Sequence, residues 1–83
     1  MRYSSKEEII VNANEVRNEI KSYIAMSGAT LTEIVKEMNK TRSEEEQTSS
    51  SNISNKLRRG TIKYSECKEI AQIIGFNLKW EKI

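Results

Sequence analysis

Histidine and proline are missing from this chain, and cysteine occurs once. Without histidine there is no imidazole metal ligand, no imidazole general base and no Ser-His-Asp triad. The lone Cys67 excludes an internal disulfide and any Cys-x-x-Cys metal or redox site. Only three glycines occur, and none belongs to a phosphate-cradling loop of either common type. Carboxylates and lysines remain, but spacing singles out no pair, so the chain reads as a non-enzyme without a cofactor. No apolar run reaches membrane-spanning length, and the first residues lack the cationic-then-apolar layout of a leader. The expectation is a cytoplasmic protein with no membrane partner. Eighty-three residues suffice for one domain, 1–83, with a modest core.

The scarce glycines are informative in their placement. Gly28, Gly60 and Gly75 each follow a segment of helical period, and no proline interrupts one. Asn12 followed by Glu15 resembles a capping box and opens a helix over about 13–26, with Val16, Ile20, Tyr23 and Ile24 on one face. Thr30 and Glu33 form a second box, opening a helix over 31–39 that turns Ile34, Val35 and Met38 inward. A third helix is predicted over 50–59 and a fourth over 64–74, the latter burying Cys67, Ile70, Ala71 and Ile74. On that face Cys67 reads as a small hydrophobe rather than a reactive thiol.

After Gly75 the period changes to two. Phe76, Leu78 and Trp80 alternate with Asn77, Lys79 and Glu81, the pattern of a half-buried strand over 76–82. A lone strand leaves both edges unpaired. Its partner is either the β-branched segment 8–11 (Glu8, Ile9, Ile10, Val11) or the same strand of a second copy; both together would give a four-stranded dimer sheet. The fold class expected is mainly α, four helices with this short strand.

Between the second and third helices, residues 40–49 are wholly polar and include the run Glu44, Glu45, Glu46, which predicts a mobile loop. The helix after it is unusual. Ile53 and Leu57 form a narrow apolar stripe, while Ser50, Ser51, Asn52, Ser54, Asn55, Lys56, Arg58 and Arg59 are small, amide-bearing or cationic. Ser49 suits its N-cap, and Gly60 suits the left-handed position past its end. With Lys63 nearby, these cations form a basic patch in a chain of net charge only +2. Such a helix can rest one face on a core and offer hydrogen-bond donors to an anion such as DNA with the other.

The segment from Thr30 to Asn39 (Thr-Leu-Thr-Glu-Ile-Val-Lys-Glu-Met-Asn) matches a Thr-x-x-Glu-Leu-Ala-x-x-Leu-Gly pattern. Ser49, Ile53-Ser54 and Gly60 then occur in the order of a capping serine, an Ile-Ser pair and a closing glycine, and Ile70-Ala71-Gln72-Ile73-Ile74-Gly75 follows Ile-Ala-x-x-Leu-Gly. In these three motifs the chain resembles the lambda-repressor-like (Cro and repressor type) helix-turn-helix DNA-binding family, over about 13–75. It departs from the family in the length and acidity of 40–49, and in ending on a strand where the best-known repressors have a fifth helix.

The resemblance implies that helix 50–59 enters the major groove N-terminus first, with the preceding helix lying across the backbone. Ser50, Ser51, Asn52, Ser54 and Asn55 would then face bases, with Asn52 and Asn55 the specific readers. Lys56, Arg58, Arg59 and Lys63, together with Thr30 and Thr32 at the second helix's N-terminus, would contact phosphates. Phe76, Leu78 and Trp80 would serve strand pairing or dimerisation; Tyr64 and Trp80 are expected to pack rather than to stack on bases. The implied function is a small, homodimeric, sequence-specific regulator binding double-stranded DNA, of the kind phages and other mobile elements use. A second reading is a protein-binding adaptor or inhibitor on the same scaffold, engaging a basic partner through Glu44, Glu45 and Glu46.

Overall fold

The computed structural model describes residues 12–82, and within them the chain is helical. The elements are α1 (Ala13–Ser27), α2 (Leu31–Asn39), a single 3₁₀ turn (Glu44–Glu46), α3 (Ser50–Arg59) and α4 (Tyr64–Ile73). Each boundary has a local cause. The Asn12 side chain accepts the Glu15 N–H at 2.9 Å and starts α1. At α2 the box closes in both directions: Glu33 N–H donates to Thr30 Oγ1 at 3.2 Å, and Thr30 N–H donates to Glu33 Oε1 at 2.9 Å. Ser49 Oγ accepts the Asn52 N–H and starts α3.

Two helices end in the same way. At α3 the N–H of Gly60 reaches Leu57 O and that of Thr61 reaches Lys56 O, with Gly60 at φ 73°. At α4 the N–H of Gly75 reaches Gln72 O and that of Phe76 reaches Ala71 O, with Gly75 at φ 90°. Gly60 is doubly constrained, because a Cβ there would lie 2.9 Å from the Ala13 Cβ where α1 begins. That close approach seats the start of α1 against the end of α3.

The core is small and is formed by Ile34, Val35 and Met38 of α2, Ile53 and Leu57 of α3, and Ile70 of α4. Ile20 and Ile24 of α1 pack on its edge, half-buried, as do Ile73 and Ile74. α1 contributes no fully buried residue, and Tyr23 on its inward face stays 42% exposed. The helix is therefore a lid on the α2–α3–α4 core rather than part of its centre. No helix among the described residues is long and apolar enough to cross a membrane.

The expected strand over 76–82 is not formed. Phe76 to Lys82 have no regular structure, and among the described residues the backbone of 77–82 makes no hydrogen bond to another backbone group. Period-two alternation gives a chain two chemically different faces, but a strand exists only as a member of a ladder. The proposed intramolecular partner, 8–11, lies outside the described residues. Trp80 and Tyr64, expected to pack, are 88% and 49% exposed.

Candidate nucleic-acid interface

Ile53 is fully buried and Leu57 nearly so, and together they fix the rotation of α3 about its own axis. Positions 51, 52, 54, 55, 58 and 59 are then forced outward, since neighbours three and four apart share a helix face. Ser51, Asn52, Ser54, Asn55, Arg58 and Arg59 are all exposed, while Ser50 is half-covered. The amides and hydroxyls occupy the first two turns and the arginines the last. No acidic residue lies on α3, and its last turn carries Lys56, Arg58 and Arg59.

The expected phosphate-contacting residues divide into two groups. Arg58, Arg59 and Lys63 are exposed and, among the described residues, form no ion pair. Lys56 is different. Its Nζ lies 2.8 Å from Glu66 Oε2, and the Glu66 side chain is almost wholly buried. Thr30 is also occupied, because its hydroxyl and its N–H both meet the Glu33 carboxylate. That carboxylate is held below its ordinary pKa, chiefly by the Thr30 backbone N–H and then by the hydroxyl. A negative group thus already sits on the α2 N-terminus, leaving Thr32, exposed, as the open threonine there.

Glu66 is the site residue that sequence reasoning missed. It falls on the same stripe as Ile70, one turn before it, and ends up buried with it. Burial by itself would raise its pKa. The Lys56 hydrogen bond, the Lys63 N–H at 3.0 Å and the positive charges of Lys56 and Arg42 outweigh that and hold the carboxyl below its ordinary value. The visible signal was a lone glutamate on an apolar stripe at the third position of a helix. Its effect is to tie the last turn of α3 to the first turn of α4.

Replacing Glu66 with glutamine keeps the shape but leaves the Lys56 ammonium without its counter-charge, at a cost of about 1–3 kcal/mol near neutral pH. A carboxyl whose folded pKa is depressed stabilises above its unfolded value, about 4.3, and loses that contribution as pH falls through the folded value. The stability gap between wild type and Glu66→Gln should therefore close on acidification from pH 7 towards pH 3. Urea unfolding at the two pH values measures it; an unchanged gap would mean that the charge of Glu66 is irrelevant.

The acidic connection is anchored more firmly than a mobile loop. The Asn39 amide donates to Thr48 O at 2.9 Å and accepts the Thr48 N–H at 2.8 Å, pinning both ends of the connection together. Arg42 reaches across to Glu69 of α4 at 2.8 Å and, more weakly, to the carbonyl of Glu46. Glu44, Glu45 and Glu46 remain exposed on their 3₁₀ turn, and Glu46 borders a polar hollow with Arg42, Lys56 and Lys63. Asn39, the last residue of α2, thus closes the connection through its side chain.

Cys67 is half-buried; desolvation, then the Glu66 charge, push its thiol pKa up, which leaves it an inert packing group. Comparison with protein-family models, with curated proteins and with solved structures returns no match to this chain.

Proposed function

We propose that this chain is a small sequence-specific DNA-binding regulator, acting as a homodimer, that reads the major groove with α3. The observation that carries the reading is the face of α3. A continuous exposed surface of serine, asparagine and arginine side chains is held in one orientation by two buried aliphatic residues. Asn52 and Asn55 can pair bidentately with adenine, the serines can meet either kind of base, and Arg58, Arg59 and Lys63 neutralise phosphates. Lys56 acts mainly as a strut to Glu66. The helix-turn-helix resemblance supplies the polarity, N-terminus inward. The helix-turn-helix resemblance suits an autoregulator of a phage or other mobile element. Cytoplasmic location goes with that role.

Titration against a pool of randomised duplex DNA at two salt concentrations tests the proposal. The expected result is an affinity that falls steeply with salt and an enriched inverted-repeat sequence. Absence of binding at low salt would overturn it. The exposed Glu44–Glu46 turn favours the second reading, an adaptor or inhibitor that docks a basic protein surface, and that reading would then take its place.

A further inference from the structure

Beyond Gly75 the chain turns back along α4. The Phe76 ring meets Tyr23 of α1 edge-on at 5.0 Å between centroids, Leu78 borders the hollow lined by Cys67 and Ile70, and the Trp80 ring lies 6.2 Å from Tyr64 at the start of α4. Phe76 also donates its N–H to Ala71 O, so four residues retrace the helix from Ala71 to Tyr64, about 10 Å. An extended path covers that distance comfortably; a helical one would not. Lys79 and Glu81 meet each other at 3.7 Å, as residues two apart on one side of an extended chain do. The segment thus has strand-like alternation, no backbone partner among the described residues, and an indole that is 88% exposed.

We propose that a second copy of this chain pairs antiparallel with the segment 78–82, with the two-fold axis beside Trp80. This names the interface of the homodimer proposed above and rests on that part of the reading. Charge complementarity selects the occupant and the register. Residues directly opposite each other in an antiparallel pair share a face. Centring the axis on Lys79 sets that cation against its own copy, and centring it on Leu78 leaves Glu81 beyond the ladder. A one-residue slip sets Lys79 against Trp80. With Trp80 at the axis, Lys79 of each copy faces Glu81 of the other, twice, and the two indoles meet. The exposed Lys79–Glu81 pair within one chain is replaced by the same pair between chains, and one open backbone edge of each copy is satisfied.

The test is sedimentation equilibrium without DNA. Wild type is expected to dimerise. Lys79→Glu and Glu81→Lys, each placing like charges opposite one another at two symmetric positions, should each weaken the dimer about tenfold or more. The double variant Lys79→Glu/Glu81→Lys should restore it. Both side chains are about three-quarters exposed, so the fold is expected to survive, and circular dichroism checks this. A wild-type dimer indifferent to the single changes, or not restored by the double, overturns this interface while leaving a homodimer standing. A wild type monomeric at every concentration overturns both; a blue-shifted Trp80 emission in that monomer would assign the segment to 8–11 of its own chain.

Discussion

Truncating Ile53 to alanine should lower the melting temperature by about 12–24 °C. Ile53 is fully buried between α3 and the α2 face formed by Ile34, Val35 and Met38. Removing a buried isoleucine to alanine costs about 2–5 kcal/mol, and a domain under 100 residues shifts by roughly 4–8 °C for each kcal/mol, so about 3 kcal/mol gives that range. At about 0.05–0.15 kcal/mol per residue the whole domain is worth only about 4–12 kcal/mol. Among the described residues six make up the buried hydrophobic core, so few neighbours are left to collapse into the hole. Thermal unfolding followed by circular dichroism reads the effect. A shift under about 5 °C would mean that α3 does not depend on this contact, and the fixed orientation of its outer face would fall with it.

The double change Arg58→Ala/Arg59→Ala should weaken binding about 60-fold at 0.1 M salt, alike on specific and random DNA. Each neutralised phosphate contributes about 0.9 to the slope of log affinity against log salt, so losing two flattens the slope by about 1.8, and 60-fold is that loss taken at 0.1 M. Both side chains are exposed and project from the end of α3, so stability should fall by less than about 1 kcal/mol, through lost interaction with the helix terminus. Lys56→Ala sharpens the contrast. Its ammonium is committed to Glu66, so that variant should lose stability while keeping most of its salt slope. Equal slopes for wild type and the double arginine variant would place the docking face elsewhere.

The helices were legible because their signals are local. Asn12 with Glu15, Thr30 with Glu33, Ser49, Gly60 and Gly75 each satisfy or release a helix end within a few residues, and the structure uses every one. The buried faces of α2 and α3 followed from spacing alone. The outer face of α3, Ser51 to Arg59, was equally visible, because it is whatever the Ile53–Leu57 stripe leaves over. Polar pairs between distant residues were not. Asn39 with Thr48, Arg42 with Glu69 and Lys56 with Glu66 are separated by 9, 27 and 10 residues, and no periodicity marks them. These pairs altered the reading of the site, removing Lys56 from the free cations and fixing the acidic connection in place. The C-terminal segment illustrates the opposite case. Its alternation predicts a half-buried strand over 76–82 that does not form, because pairing is a property of the neighbour as much as of the segment.

The Asn39–Thr48 clasp separates the closure of the α2–α3 connection from its length. The connection is closed at its base, with Lys40 to Gln47 lying between the two clasped residues. Because the entropy of closing a loop grows only slowly with its length, roughly 0.6 kcal/mol per doubling, the exposed part of that stretch, Ser43 to Gln47, can be extended or recharged at little thermodynamic cost so long as Arg42 keeps its hold on Glu69. A string of glutamates mounted there works as an adjustable counterweight. On the DNA-binding function proposed above, it would discourage indiscriminate attachment to polyanions while α3 keeps its orientation, from a segment with no residue in the buried core.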